Sequence, residues 1–452
     1  MLLDTLADYG AREARADLPP EVLHHAKRAV LDWLAALYPG TRTAPCAQLL
    51  AAHRDELGLG ASSLPGCGVT ALPATAAWIN GSVSHAVEFD DIFRDAVYHP
   101  GCPTIAAALA LAESRAGHGL ALLRAVVAGY EISTRIGAAV QPAHYRYFHT
   151  TGTVGSLGAA AAGAALLAPG SAGVMRHAIA TAATLAAGLQ QAFRSDAMSK
   201  ALHAGNAANV GVRAALGAAH GITGVPDILE GEVGFGAALA GQADWDSAVQ
   251  GLGERYNITQ ITQKNHGCCG HTFAAIDAAL ALRAQGIDPE QIERITVHTY
   301  RTAIDVTGNA SPTTAFEAKF SLPYVVSHAL IHGSVRLAAF EADRLEAPDL
   351  RALMRRLDLH EDAALTRGFP RQRAARVEIL LADGRRLRHD APYRKGDPEA
   401  PLSDAELNDK FMELAAPVLG GARAAELRDA VWRLDTLPVA ALRLAQDAPA
   451  HA

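Results

Sequence analysis

The chain has 452 residues, 50% of them hydrophobic, and a formal net charge of −7. That length suits two domains and that apolar content a large core. The acidic balance argues against a nucleic-acid-binding protein, which would carry a basic face, but it leaves room for a local cationic pocket for an acidic substrate.

Taken in chain order, the N-terminal MLLDTLADYGAREA lacks a basic n-region, so it does not read as a signal peptide. In LPPEVLHHAKRAVLDWLAAL, Leu23, Ala26, Val30, Leu34 and Leu37 recur at three- and four-residue steps, which predicts an amphipathic helix. Asp17 is placed to cap it, with Pro19 and Pro20 in its first turn. Alanine-rich helical patterns follow in PTIAAALALAESRAG, GLALLRAVVAGYEISTRIG, VGSLGAAAAGAALL, MRHAIATAATLAAGLQQ and HAGNAANVGVRAALGAAHG, and small side chains there allow close helix contacts. The longest apolar run, SLGAAAAGAALLAPG over 156–170, is too short and too rich in Ala and Gly to span a bilayer.

After about residue 290 the character changes. RITVHTYRTAIDV reads as a strand, and ARVEILLADGRRLRHD as a hairpin about Asp383-Gly384. Between them SLPYVVSHALIHG predicts a helix capped by Ser321 with Pro323 in its first turn, and LSDAELNDKFMELAAPVL opens a further helix with a Ser403–Glu406 capping box. The pattern therefore divides into an all-helical domain over 1–265, an α+β domain over 266–398 and a helical segment over 399–452 that returns to the first domain. There is no internal repeat, low-complexity linker or sustained heptad. The five cysteines, Cys46, Cys67, Cys102, Cys268 and Cys269, are odd in number and irregularly spaced; they suit a reducing cytosol better than a secreted disulfide framework.

Four stretches carry candidate chemistry. In NGSVSHAVEFDDIFRDAVYHPG, His85, Glu88, Asp90, Asp91, Asp95 and His99 crowd a junction before an apolar helix, which suits proton transfer. A solvated, capped loop or a divalent-metal site are the alternatives. In HYRYFHTTGTVGSLG, His149 precedes Thr150, Thr151, Gly152 and Thr153 at a helix start, where backbone N–H groups welcome a carboxylate, although an ordinary helix start has the same look. The stretch lacks the ending of a phosphate-binding loop. In FRSDAMSKALHAGN, Lys200 and His203 share a helix face, and Lys200 is either a neutralising cation for a substrate carboxylate or a surface lysine. In QKNHGCCGH, a zinc reading would need His266, Cys268, Cys269 and His271 within six residues with no second pair nearby, unlike the separated knuckles of zinc sites. The cysteines read as interior packing, leaving Lys264 and His271 as the polar groups.

Together SHAVEFDD…HPG, GLALLRAVVAGYEISTRIG, FHTTGTVGSLGAAAA, SKALHAGNAANVGVRAALGAAHGITGVPDILEGEVGF, KNHGCCGHTFAAIDAAL and KFSLPYVVSHAL resemble the MmgE/PrpD family, the 2-methylcitrate dehydratase-like proteins, in order and over most of the chain. The resemblance implies a mainly α fold, with a large all-helical domain and a smaller α+β lid, a homodimer, and a site in the interdomain cleft. It implies activity on small polycarboxylates with no redox cofactor, among them dehydration of 2-methylcitrate, decarboxylation of cis-aconitate and epimerisation of iminodisuccinate. Position by position it marks Asp90, Asp91, His99, His149, Lys200 and Lys264. Relatives carry a histidine directly before the AAID run where this chain has Phe273, with His271 two residues earlier. The chain also lacks a Trp-bearing insertion associated with the Asp-Asp segment of methylcitrate dehydratases.

The expectation is a cytoplasmic, metal-independent lyase, a dehydratase first, with an epimerase or decarboxylase as the alternative, working without cofactor, nucleic acid or membrane. A non-catalytic binding protein on the same fold and a metal-dependent hydrolyase using Asp90, Asp91 and His99 are the rivals. Removing a proton α to a carboxylate builds negative charge that fixed cations and donors must stabilise. Lys200, Lys264 and the turn around Thr151 and Gly152 are expected to supply them and to hold the substrate with Asp90. His149 is the expected base and His99 the second choice. Asp91 is expected to orient a histidine or to act as an acid, with His85 and His203 left as structural.

Overall fold

The computed structural model describes residues 1–193, 197–369 and 371–447. The chain forms two compact units, one from Met1–Thr262 with the stretch from Ser403 onward, the other from Gln263–Leu402. The C-terminal segment predicted over 399–452 runs past the described residues after 447.

Helices dominate the first unit. Those that build its centre are α1 (Pro20–Gly40), α2 (Pro73–Ser84), α3 (Gly101–Ser114), α4 (Gly119–Ala139), α5 (Thr150–Leu167), α6 (Ala172–Leu185) and α7 (Ser199–Ala219). Every residue of α5 from Thr150 to Ala165 is buried, and α3, α4, α6 and α7 pack around it. By length and composition α5 is apolar enough to cross a membrane, but 89% of it is buried inside this unit. Its all-round apolar character is that of a core helix. Small residues make the packing possible. A Cβ on Gly129 of α4 would lie 2.7 Å from the carbonyl oxygen of Gly158 on α5, and one on Gly158 2.7 Å from the Ser133 hydroxyl.

Two local expectations need correcting. Asp17 does not cap α1; Pro19 occupies the cap position with no side-chain bond, and the Asp17 carboxylate instead takes the Arg124 guanidinium at 3.2 Å. The fixed φ of the two prolines sets the helix entry on its own. The first unit is also not purely helical, because β1 (Leu57–Leu64) and β2 (Val69–Ala71) pair antiparallel. Their LGLGASSL and VTA sequences hold few β-branched residues, so no strand signal stands out. Gly66 and Gly68 turn the chain between them with φ of +79° and +69°.

In the second unit, β3 (Ile292–Thr299), β4 (Leu357–Glu361), β5 (Ala375–Leu381) and β6 (Arg386–Ala391) form one sheet in the order β4-β3-β5-β6. β3 runs parallel to β4 and antiparallel to β5, and β5 antiparallel to β6. Ala375, Val377, Ile379 and Leu381 alternate inward on β5 and share a core with α8 (Phe273–Arg283) and α9 (Leu322–His332). The β5–β6 turn falls at Asp383-Gly384, with Gly384 at φ +86°. The Ser321 cap of α9 is formed, as is the Ser403–Glu406 capping box that opens α10 (Asp404–Leu419). The strand read over 294–306 ends at Thr299, where Tyr300 becomes the cap of a short helix, Arg301–Thr307.

Candidate active site

The C-terminus of α2, the loop to α3, and the N-termini of α3, α5 and α7 meet in the first unit and gather most of the titratable side chains singled out above. The loop 85–100 is held by Asp90 and Asp91, which are both buried. Asp90 Oδ2 accepts a bond from His85 Nδ1 at 2.7 Å and one from the Cys102 thiol at 3.3 Å. His99 Nδ1 lies 2.9 Å from the same oxygen. Asp91 faces elsewhere, accepting the Tyr130 hydroxyl at 2.7 Å and the Gly101 N–H at 3.0 Å. Burial, reinforced by the nearby Asp32 charge, pushes the Asp91 carboxyl up to about 7.

Asp90, not Asp91, is therefore the carboxylate that orients histidine. The two residues are adjacent in sequence, and their side chains diverge to different partners, which spacing alone does not reveal. Asp90 Oδ2, expected to help hold substrate, is engaged within the fold by His85 and the Cys102 thiol, with His99 close by.

His149 caps α5 and is 2% exposed. Its Nδ1 lies 3.0 Å from His203 Nδ1 on α7. Its ring stacks on His85 at 5.4 Å between centroids, lies 6.5 Å from His99, and meets the Phe193 ring edge-on at 4.7 Å. Burial drives the His149 ring well below the ordinary histidine value, and the neighbouring imidazoles and Lys200 push the same way. His203 falls to about 4, mainly from burial. Two neutral imidazoles facing nitrogen to nitrogen need complementary tautomers, one donating and one accepting. His85 and His203, set aside as structural by the sequence reading, thus belong to the cluster.

Lys200 sits in the first turn of α7 and is paired with Glu88, its ammonium also 5.2 Å from the Phe193 ring centre. Glu88 has a φ of +63°, rare outside glycine. Thr151 and Gly152 already have partners within the fold. The Thr151 hydroxyl accepts the His99 N–H at 3.2 Å, and the Gly152 N–H bonds to the His149 carbonyl at 2.9 Å. The first turn of α5 uses these groups to fix its own neighbours. Gly152 matters for space, since a Cβ there would collide with the Ala187 carbonyl and stand 3.2 Å from His203 Cβ. A cavity of about 650 Å³ has His203, Trp78 and Asn206 in its wall. Asp95 is exposed.

Among the described residues, His85, Asp90 and His99 form the one group whose ligand atoms lie close enough, within 4.8 Å of one another, to hold a metal ion. The 2.7 Å His85 Nδ1–Asp90 Oδ2 contact is an N–H···O hydrogen bond, so a metal there would have to displace a proton; His99 Nδ1, 2.9 Å from the same oxygen, is a close approach without hydrogen-bond alignment.

Lys264 and His271 belong to the second unit. Lys264 is buried. His271 Nδ1 lies 2.7 Å from the Tyr300 hydroxyl, and burial lowers its ring to about 4. The zinc quartet has separate partners: His266 bonds Asp277 at 2.8 Å, Cys268 contacts Thr272 at 3.2 Å, and the Cys269 N–H donates to Lys319 O. Phe273 is fully buried in the core, with the Arg394 guanidinium 5.9 Å from its ring.

A helical unit that gathers four imidazoles, two of them buried, and two buried carboxylates beside a lysine has the makeup of an acid–base enzyme. Residues 4–248 match the MmgE/PrpD N-terminal domain and residues 266–436 the MmgE/PrpD C-terminal domain, and the chain belongs to the MmgE/PrpD family. It is similar to the cis-aconitate decarboxylase-like protein oryM of Aspergillus oryzae, 29% identical over 93% of this chain and 92% of that protein. It is also similar to the cis-aconitate decarboxylases of Mus musculus, 27% identical over 92% and 87% of the two chains, and Homo sapiens, 27% identical over 93% and 89%.

Proposed function

We propose that the protein is a metal-independent lyase that decarboxylates a small unsaturated tricarboxylate resembling cis-aconitate. The observation that carries the acid–base part is the imidazole cluster, in which His149 is held neutral by burial and His99 sits against a buried carboxylate at 2.9 Å. The choice of decarboxylation over the dehydration expected from the sequence leans on relatives named for it across nearly the whole chain.

The chemistry needs one bond broken and one formed. The carbon–carbon bond to a carboxylate breaks, CO2 departs, and the electron pair stays on the substrate carbon framework. A proton donor then closes a C–H bond there. His99 suits the donor role, because the Asp90 carboxylate stabilises its imidazolium. His149, neutral, suits the removal or relay of a proton. Lys200 neutralises a second substrate carboxylate.

The test is incubation in heavy water with a panel of di- and tricarboxylates, followed by proton NMR, with His149→Asn alongside. Release of CO2 with deuterium incorporated at one carbon supports the reading. Loss of water would name a dehydratase, exchange at an sp3 carbon without net product an epimerase, and undiminished turnover by His149→Asn would remove His149 from the chemistry.

A further inference from the structure

Lys410 and Asp32 are a buried ion pair with no part in the chemistry described so far. Lys410 lies on α10 and is 0% exposed, and Asp32 lies on α1 and is 1% exposed. The ammonium donates to Asp32 Oδ1 at 2.6 Å and to the backbone carbonyl of Phe89 at 3.1 Å, and it stands 5.4 Å from the Phe89 ring centre. Phe89 is the residue between Glu88 and Asp90.

Burying two charges is expensive, and well-packed apolar residues of the same volume frequently serve stability as well or better. Arg28 of α1 already pairs with Asp404 of α10, so the two helices have an ion pair nearer the surface without Lys410. The ammonium does something an apolar side chain cannot, which is to donate a hydrogen bond to a carbonyl in the loop that carries Asp90 and Asp91. That loop needs outside support, since Glu88 holds a left-handed φ of +63°, a conformation unfavourable for a residue with a Cβ. Asp32 adds a third carboxylate within electrostatic reach of Asp90 and Asp91, and Asp32 Oδ2 is buried without a hydrogen-bond partner among the described residues. Lys410 offsets that charge.

We propose that Lys410, compensated by Asp32, is a positioning residue that fixes the Phe89 carbonyl and thereby sets Asp90 against His85 and His99. Helix α10, from the C-terminal part of the chain, is then part of the machinery of the site. The inference rests on the reading of His99 and Asp90 given above, so its test includes a readout that needs no turnover.

Three variants separate the roles. Lys410→Met alone leaves a lone buried carboxylate and is expected to lose stability. The double variant Lys410→Met with Asp32→Asn removes both charges, and its melting temperature is expected to return to within a few degrees of wild type. Its low-field imidazole N–H resonances, that of the Asp90-bonded His85 foremost, should nonetheless shift or broaden away, and turnover of whichever acid the wild type converts should fall about 10²-fold, as misplacement of a site group by about 1 Å does. Lys410→Gln with Asp32→Asn keeps an N–H donor without the charge and is expected to restore those resonances. A Met/Asn double variant with unchanged resonances overturns the proposal, and so does one that fails to fold, because packing alone is then insufficient. If the wild type turns over no polycarboxylate, the functional reading fails while the resonances still decide the positioning.

Discussion

Asp90→Asn is the sharpest probe of the site, because it keeps the shape of the side chain and removes only its charge and part of its acceptor capacity. Asp90 Oδ2 receives His85 Nδ1 at 2.7 Å and has His99 Nδ1 at 2.9 Å. An asparagine placing its oxygen there keeps the His85 contact as a neutral hydrogen bond and the His99 contact as a close approach. Charge-assisted bonds contribute about 1.5–3 kcal/mol and neutral ones about 0.5–1.5 kcal/mol, so roughly 1 kcal/mol is lost at His85. Removing a buried charge returns several kcal/mol of desolvation, so the fold should tolerate the change, with a melting temperature near wild type. Chemistry should not tolerate it. When His99 holds a second proton, its charge and that of Asp90 attract by about 4 kcal/mol at an effective dielectric of about 20, close to 10³-fold in rate for any step that forms the imidazolium. The assay is turnover in the heavy-water panel with thermal unfolding measured on the same samples. A folded Asp90→Asn enzyme that keeps turnover within about ten-fold of wild type would refute the account of His99.

Asp91 yields a pH prediction. Its folded value of about 7 lies above the ordinary 3.8, so the folded state holds the proton more tightly than the unfolded chain. The associated stability is fully present below about 4 and is lost as pH rises toward 7. Relative to Asp91→Asn, the wild type should lose roughly 4 kcal/mol of unfolding free energy over that window, and parallel pH curves for the two proteins would contradict the assignment. Excess chelator followed by gel filtration is expected to leave turnover unchanged, since His85 Nδ1 already donates to Asp90 Oδ2 at 2.7 Å; loss of activity restored by one specific metal would replace that contact with coordination. Lys200→Met should raise KM for a tricarboxylate about ten-fold or more with a smaller change in kcat, and an equal fall in kcat and kcat/KM would place Lys200 at the transition state instead.

The helices and the hairpin were legible in the sequence because their signals are local. A 3.6-residue stripe, the capping box at Ser403 and Glu406, and Asp383-Gly384 each act within a few residues. The candidate residues were legible by type, since His, Asp and Lys crowd four short stretches. Their partners were not. Asp90 and Asp91 are chemically alike in sequence, and only the fold sends one to His85 and the other to Tyr130 on α4. His203 reads as a helical histidine until the space at Gly152 lets α7 approach His149. Lys410 lies more than 300 residues from the carbonyl it binds, and nothing in its amphipathic helix marks it except that a charge sits on the buried face. That anomaly was the available signal for it, and a buried lysine in a patterned helix is the feature to seek in such a chain.

Glu88 offers a final argument about how the pocket is held before substrate arrives. Its carboxylate pairs with Lys200, the cation assigned above to a substrate carboxylate. The side chains are 34% and 22% exposed, so the pair lies in a partly solvated setting where such bridges contribute at most about 1 kcal/mol. A substrate carboxylate must displace Glu88 from Lys200 and lose that amount from its own binding. In Glu88→Gln the competition is gone while the size of the side chain is kept, so KM for a tricarboxylate should fall up to about five-fold, with high salt narrowing the difference because the pair is screened. If Glu88 instead contacts the substrate through its own charge, the same substitution raises KM and lowers kcat. The sign of the KM change therefore separates a carboxylate that occupies the lysine in the substrate's absence from one that takes part in the chemistry.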